Sequence, residues 1–219
     1  MAVLKILGKL LVSVGLGILL FVAWQLWGTG LAAERAQSDL GRRYDRLPHL
    51  TAERPRGSKF AGPPESFRPG PGDPVFRLRI PRIDVDQVVV EGVDVEQLKR
   101  GPGHYPNCRP GFDPPLCTRG QEIWPGERGR AIVSGHRTTY GGPFWALDEL
   151  RRGDELRFDT RWGEFTYEVT AKEVVSPNAT DIATPAGNDP EVVLTTCNPR
   201  FSAAERLVVF AEMVQRGAA

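Results

Sequence analysis

The sequence has few of the features that proteins acting on nucleic acids, nucleotides or metal ions require. Its 219 residues carry 28 basic and 27 acidic side chains, a net charge of +1, so there is no electrostatic case for binding nucleic acid. It shows no glycine-rich phosphate-binding loop, no set of metal ligands, no acidic cluster typical of a calcium site and no internal repeat. We therefore expect a protein that needs neither a metal nor another cofactor.

Cysteine is scarce, and the three cysteines are unevenly placed. Cys108 and Cys117 flank a short loop, whereas Cys197 lies far away in the sequence. In an exported protein this pattern predicts one disulfide, Cys108–Cys117, and one free thiol. Two buried free thiols and half of a metal site are the alternatives, although zinc is poorly supported because no second cysteine pair is close.

Glycine and proline, in contrast, are plentiful. The chain has 24 glycines and 19 prolines, and its 41% hydrophobic and 25% charged residues are ordinary for a globular protein. Many short apolar runs separated by regular turn signals, with few helical patterns, predict an all-β fold: a closed barrel of about eight strands with short helices. Within it, Val75–Val90 alternates like one half-buried strand with Pro81 at a bulge or edge, and residues 156–170 predict a hairpin turning near Trp162.

The N-terminal part contains one long stretch without charge. Leu10 to Trp27 has no charged residue over 18 positions, close to the length that crosses the hydrocarbon core of a bilayer. Two lysines precede it, and Trp24 and Trp27 suit the outer membrane interface. We predict a retained membrane anchor over residues 1–30, a single-pass transmembrane helix with the folded domain outside the cell.

A cleavable signal peptide is the alternative for this segment. Small residues at 31–33 would suit cleavage, but the apolar region of a signal peptide is shorter, about 7 to 15 residues. Four arginines soon after the span also run against the positive-inside rule; they are Arg35, Arg42, Arg43 and Arg46.

A proline-rich segment follows the anchor. Residues 31–50 are charged with moderate helix propensity, and residues 51–74 carry six prolines with interspersed glycine. Such a composition cannot bury a core and is typical of an extended spacer. We predict an extracytoplasmic spacer over 31–74 that holds the catalytic domain, 75–216, away from the bilayer.

Three reactive side chains stand at the ends of predicted strands. Cys197 closes an apolar run, Arg206 opens the next one, and His136 lies just past another. Such an arrangement suggests a cysteine nucleophile, a histidine acid/base and an arginine that stabilises charge. Arg200 is a second candidate arginine, and His104 a second candidate base, for which a hydrogen-bonded structural role in a turn is the default.

Two other classes of function remain open from the residues. One is a different exported cysteine hydrolase or an L,D-transpeptidase, although the latter would carry a histidine close to the cysteine, and here Thr196 precedes Cys197. The other is a non-enzymatic, disulfide-stapled surface module in which Cys197 is merely a small buried hydrophobe.

Three motifs together resemble the sortases, the membrane-anchored cysteine transpeptidases of Gram-positive bacteria, and most of all class E, the actinobacterial housekeeping type. The motifs are Gly101-Pro-Gly-His-Tyr-Pro106, Ser134-Gly-His-Arg-Thr-Thr-Tyr-Gly141 and Leu194-Thr-Thr-Cys-Asn-Pro-Arg-Phe-Ser202 followed by Arg206. The resemblance covers about Val75 to Met213. The Cys108–Cys117 insertion departs from the family pattern.

The resemblance implies an enzyme that cleaves a C-terminal LAxTG- or LPxTG-type sorting motif of an exported protein between Thr and Gly. It would do so through a thioester on Cys197 and transfer the acyl group to a cell-wall amine, on a peptidoglycan precursor or cross-bridge. His136 would be the acid/base, Arg206 the oxyanion or substrate-carbonyl partner, and Tyr105 and Thr196 substrate-binding residues. The long connection 175–191 would wall the substrate groove.

Overall fold

The computed structural model describes residues 2–24, 28–53, 60–113, 116–118, 120, 122–179, 181–184, 187 and 189–217. The helices and strands in these residues are α1 (Ala2–Ala23), α2 (Thr29–Asp45), β1 (Pro74–Ile80), β2 (Val85–Glu91), α3 (Val95–Leu98), β3 (Gly103–His104), β4 (Gly129–Ser134), β5 (Glu155–Thr160), β6 (Gly163–Val175), β7 (Pro190–Asn198) and β8 (Glu205–Gly217). Short 3-10 turns cover Pro81–Ile83, Leu147–Glu149 and Asp181–Ala183. The prediction of an all-β protein with short helices is confirmed.

Eight strands close into a barrel in the order β1-β2-β3-β4-β7-β8-β6-β5. The β2/β3 and β4/β7 pairs are parallel, and the other pairs are antiparallel. Parallel pairing of β4 with β7 places the C-terminal ends of both strands at the same edge of the barrel. The antiparallel β8 begins at that edge.

The region around Pro81 differs from the sequence-based prediction. Instead of one strand with a bulge, the chain makes two antiparallel strands, β1 and β2, joined by the 3-10 turn Pro81–Ile83. Asp84 ends the turn with a φ of 53°, a left-handed conformation that an aspartate tolerates in turns. Both strands have a period of two, and the one-residue phase shift between Ile80 and Ile83 resembles the effect of a bulge.

The barrel interior holds the main hydrophobic core. Alternate side chains of each strand point inward, and aromatic rings fill the centre. The largest fully buried rings include Trp162, Tyr167, Phe76, Phe158 and Phe165. The hairpin predicted near Trp162 is present as β5 and β6, with the turn at residues 161–162.

The helix α2 packs on the outside of the barrel. Leu40 and Tyr44 are buried against β2, and the Gln37 side chain bonds the backbone N–H and C=O of Val88 and the C=O of Arg100, at 2.8–3.0 Å. At the other end of the helix, Thr29 Oγ1 accepts a hydrogen bond from the Tyr140 N–H at 3.4 Å. The helix is therefore attached to the barrel along its length.

The proline-rich segment predicted as a spacer also touches the barrel in its described parts. The Phe67 ring lies against Trp124 and Trp162, with ring centroids 5.2 and 5.5 Å apart, and Ala61 is buried. Composition predicted an extended chain because prolines and glycines dominate, yet a few apolar residues suffice to dock it. Residues 54–59 lie outside the described part, and the domain boundaries 1–30, 31–74 and 75–216 stay a prediction.

The helix α1 contains the apolar stretch expected in a membrane. Val3–Val22 is long and apolar enough to span a bilayer, with a mean hydropathy of 2.1, and no part of it is buried against the rest of the chain. A secretion signal would share these properties.

A disulfide and a buried charge network hold the long β3–β4 connection. Cys108 and Cys117 are bonded, as predicted. The neighbouring Arg109 donates to Glu91 Oε1 at 3.1 Å and also pairs closely with Glu122. This insertion therefore carries the cation that neutralises a fully buried carboxylate.

Candidate active site

Cys197 and Arg206 are paired across β7 and β8, at the barrel edge where β4 and β7 end and β8 begins. Cys197 is the penultimate residue of β7, and its Cα partner on the antiparallel β8 is Arg206. Cys197 is a free, partly exposed thiol. Because strand side chains alternate, Cys197 lies on the outer face of the barrel together with Thr195 and Val193.

The segment carrying His136 leaves the barrel beside the same strand. Ser134 of β4 is the Cα partner of Thr195, and the Gly135 N–H donates to the Thr195 C=O at 3.1 Å. His136 follows directly. The three predicted residues Cys197, His136 and Arg206 thus come from three neighbouring strands at one edge of the barrel.

The His136 imidazole has one nitrogen fixed and one without a partner. Nδ1 shares a 3.3 Å hydrogen bond with Thr139 Oγ1, while Nε2 is buried and has no hydrogen-bond partner among the described residues. The Tyr140 ring lies 5.0 Å away, centroid to centroid. Burial lowers the pKa of His136 and so favours the neutral imidazole, which can accept a proton.

Arg206 is held by carbonyl groups. Its Nη1 donates to the C=O of Ala203 at 3.1 Å and of Glu205 at 3.0 Å, and no carboxylate within the described part of the chain lies at ion-pair distance. Its charge also lowers the pKa of the Tyr105 phenol, although burial outweighs it and raises that pKa overall. Among the described residues the guanidinium is therefore not engaged in a salt bridge.

The two threonines before Cys197 face opposite sides of the strand. Thr196 points into the barrel, is 2% exposed and donates its hydroxyl to the Gly135 C=O at 2.7 Å. It therefore joins the cysteine strand to the histidine segment. Thr195 is on the outer face, and its buried Oγ1 has no partner within the described residues.

An apolar patch covers the outer face next to Cys197. Ile132, Val193 and Val208 form its buried floor, and Tyr105 packs on it. The rest of its lining comes from partly buried side chains on β6, β8 and the 175–191 connection, namely Val175, Phe210 and Ile182. We call these seven residues the outer patch. Val175 and Ile182, in the connection predicted to wall a groove, therefore pack on this face, and Arg130 Nη1 donates to the Ile182 C=O at 3.0 Å.

His104, the second candidate base, is on the strand next to β4, where its Cα partner is Val133. It is in β3, not in a turn, and is fully buried, with Nδ1 2.9 Å from Glu91 Oε2 and Nε2 donating to the Ile123 C=O at 2.9 Å. Burial lowers its pKa, but the Glu91 charge and hydrogen bonds outweigh burial, so the pKa is raised overall. The default interpretation, a hydrogen-bonded structural histidine, is the one that fits.

Arg200, the second candidate arginine, points elsewhere. It pairs with Asp148 at 2.9 Å and lies over the Trp145 ring, 4.7 Å from its centroid. Its guanidinium therefore binds to the Leu147–Glu149 turn.

One group of side chains has the composition of a metal site. Ligand atoms of Glu91, His104 and Glu122 lie within 4.8 Å of one another. The Arg109 guanidinium bonds both carboxylates and so supplies the positive charge that a metal ion would bring. These residues do not call for a metal.

Arg137 is a buried residue beside the site to which sequence reasoning gave no role. It is 4% exposed and bonds the Asn198 side chain at 2.6 Å, the Cys197 C=O at 3.4 Å and the Asp148 carboxylate at 3.0 Å. Its position directly after His136 was the only signal in the sequence.

Comparisons with known proteins agree with this geometry. A model of the sortase domain matches residues 78–214, more than half of the chain. Sortase D of Bacillus subtilis (strain 168) is 35% identical over 153 residues, which cover 68% of each chain. Sortase SrtE1 of Streptomyces coelicolor is 30% identical over 221 residues, covering 96% of this chain but 57% of the relative.

The fold comparison points the same way. The crystal structure of sortase E1 from Streptomyces coelicolor, with a tripeptide in its active site, matches with a TM-score of 0.58 and 27% identity. The match covers 69% of this chain and 94% of that structure. Both sortase D and sortase E proteins are thus among the relatives.

Proposed function

We propose, because the chain belongs to the sortase family of cysteine transpeptidases, that Cys197, His136 and Arg206 carry out its acyl transfer on a C-terminal sorting motif of the LAxTG or LPxTG type. The observation that carries this assignment is the meeting of three strand ends. Cys197 is the register partner of Arg206, and the His136 segment is bonded to the strand that carries Cys197.

The first half of the reaction forms a thioester. The Cys197 thiolate attacks the carbonyl carbon of the substrate threonine, and the C–N bond to the following glycine breaks as the tetrahedral intermediate collapses. His136 takes the proton of the Cys197 thiol as the thiolate forms, and then gives this proton to the departing glycine amine. The free Nε2 is the nitrogen for this transfer, because Nδ1 is bonded to Thr139.

The second half transfers the acyl group. The incoming amine attacks the thioester carbonyl and loses a proton to neutral His136, the new C–N bond forms, and the Cys197 thiolate leaves. Burial favours the neutral imidazole between the two halves. Water entering instead of the amine would give hydrolysis.

Arg206 stabilises the negative charge that develops on the substrate oxygen. Arg206 is the Cα partner of Cys197, and its guanidinium has no carboxylate partner in the described residues, so its charge is available to a substrate. A fixed positive group in a partly dry site is worth far more than one in water.

The outer patch is the proposed binding surface for the sorting motif. Its apolar floor continues from Cys197, Tyr105 lines it beside Arg206, and the unpartnered Thr195 hydroxyl can bond a peptide group. Thr196, buried and bonded to Gly135, takes the narrower role of orienting the two catalytic segments.

The test uses fluorogenic peptides with LAxTG and LPxTG motifs, a glycine amine, and the Cys197→Ala variant as control. We expect cleavage between Thr and Gly with formation of the amine-linked product, and none in the variant. No turnover of either peptide by a folded protein with an unreactive Cys197 would refute the assignment.

We propose further that α1 anchors the enzyme in the cell membrane with the barrel outside. The helix length and the chemistry of a cell-wall acceptor, a peptidoglycan precursor or cross-bridge amine, support this location. A cysteine introduced at exposed Asp39 should react with a membrane-impermeant maleimide on intact cells. Protection of that thiol until the cells are lysed would contradict the orientation.

A further inference from the structure

Arg137 lies just beyond the point where backbone pairing ends between two segments, the one that carries His136 and the one that carries Cys197. Among the described residues, the last backbone hydrogen bond between these segments is Gly135 N–H to Thr195 C=O. His136 and Cys197 both lie beyond that bond. The Thr196 hydroxyl bonds the Gly135 C=O at the same point, and the connections beyond it are made by the Arg137 side chain.

The guanidinium of Arg137 connects several chain segments at the barrel edge where β4 and β7 end. It donates from Nη1 to Asn198 Oδ1 and to the Cys197 C=O, and its Nη2 pairs with Asp148 on the Leu147–Glu149 turn. Asn198 in turn donates from Nδ2 to Glu205 Oε2 at 2.8 Å, at the start of β8. One side chain thus connects the exit of β4 to the end of β7 and, through Asn198, to β8.

The contacts at this position suit arginine. A buried charge is costly unless it is paired and hydrogen-bonded, and here the two Nη atoms reach three acceptors, while the buried Nε has no partner among the described residues. A lysine would bring the same charge as a single point and could not hold the same geometry.

We propose that Arg137 is a positioning residue for the transfer reaction: its guanidinium fixes the segment that carries His136 against the end of the strand that carries Cys197. It touches no reacting atom. This inference rests on the catalytic roles proposed for Cys197 and His136, because only then does their mutual position matter.

Arg200 provides a matched control for this proposal. It pairs with the same Asp148 carboxylate, but bonds neither Cys197 nor Asn198. The variants Arg137→Met and Arg200→Met each remove one positive charge beside the same carboxylate, although Arg137 is buried and Arg200 partly exposed, and only the first removes the link to the cysteine strand.

The experiment measures kcat and KM of the full chain in detergent micelles with an LAxTG or LPxTG peptide and a glycine amine. We expect Arg137→Met to lower kcat by about 30- to 100-fold with little change in KM, since a misplacement of about 1 Å can cost about 100-fold. Arg200→Met should stay within about three-fold of the parent. Millimolar methylguanidinium should restore part of the activity of Arg137→Met and leave the parent unchanged.

Two further variants keep the proposal open to refutation if Arg137→Met fails to fold. Arg137→Lys should remain at least about ten-fold below the parent in kcat, and Asn198→Ala should lower kcat in the same way, because both weaken the same link. Equal kcat values for the parent, Arg137→Lys and Asn198→Ala would overturn the proposal, as would equal losses in Arg137→Met and Arg200→Met. Activity retained by Cys197→Ala would overturn the proposed function instead.

Discussion

The two histidines at the ends of neighbouring strands have opposite surroundings. In β3, His104 is stacked on Trp124 at 4.2 Å and both ring nitrogens are bonded, one of them to a buried carboxylate. Beyond β4, His136 has only Nδ1 bonded, and its buried Nε2 has no partner within the described chain. A histidine whose bonds are all satisfied holds structure together, whereas one with a free nitrogen can move a proton.

The largest expected effect is the loss of activity when His136 is replaced, which should not occur when His104 is replaced. Removing His136 with an alanine should lower kcat/KM for the sorting peptide by about 100- to 10,000-fold, the usual contribution of general acid–base catalysis. The melting temperature should hardly change, because the ring makes only one hydrogen bond. The measurement is peptide turnover beside thermal unfolding of the same sample. Residual activity above a tenth of the parent would assign the proton transfer elsewhere.

The His104→Ala variant should show the reverse pattern. It removes a partner from the buried Glu91, and breaking a buried ion pair costs about 3–5 kcal/mol of unfolding free energy. Urea unfolding measures this loss. Turnover per folded molecule should stay within about three-fold of the parent in low denaturant, and a kcat loss as large as that of His136→Ala would make His104 a participant in catalysis.

The disulfide, like His104, should affect the stability of the fold and not the reactivity of the site. Opening the Cys108–Cys117 bond by a paired serine substitution should cost about 2–3 kcal/mol, because the bond constrains a short loop in the unfolded chain. A single Arg109→Met change should also destabilise, since it uncovers the charge of Glu91. Neither change should alter the alkylation rate of Cys197 by more than about two-fold, and a larger change would connect this loop to the active site.

The smallest expected effect concerns the pKa values of the two histidines, which should be displaced in opposite directions. In NMR titrations, the His136 imidazole should titrate below about 6.5, and the His104 imidazole above it. Because the folded pKa of His104 is raised, its contribution to stability is complete below about pH 6.5 and is lost as the pH rises through its folded value. For His136 the sign is reversed, and stability is lost as the pH falls from about 6.5 through its folded value. Midpoints in the opposite order would contradict the assigned surroundings.

The sequence predicted the barrel and the pair Cys197 and Arg206 through the period of the apolar runs. Periodicity shows which residue ends a strand, and a shared edge follows once two strands are paired. It did not separate β1 from β2, because both strands have a period of two and the one-residue phase shift between Ile80 and Ile83 is also what a bulge at Pro81 would produce.

Other parts of the site could not be predicted, because they depend on side-chain partners far apart in sequence. Arg137 acquires its role from Asn198 and Asp148, and the fully bonded state of His104 depends on Glu91 and Ile123. The docking of α2 depends on Gln37 meeting the backbone of β2, 51 residues away. None of these pairs leaves a periodic signal in the sequence.

The attachment of α2 limits how far the enzyme can reach. Val22 ends the apolar span and Thr29 begins α2, and a fully extended chain spans at most about 3.6 Å per residue, so the start of α2 stays within about 25 Å of the end of that span. Thr29 in turn bonds Tyr140, whose ring is 5.0 Å from that of His136. With α1 in a bilayer, His136 would therefore stay within a limited distance of the membrane surface. Substrates that present the scissile bond within that distance, such as chains still tethered in the same membrane, would meet it most readily.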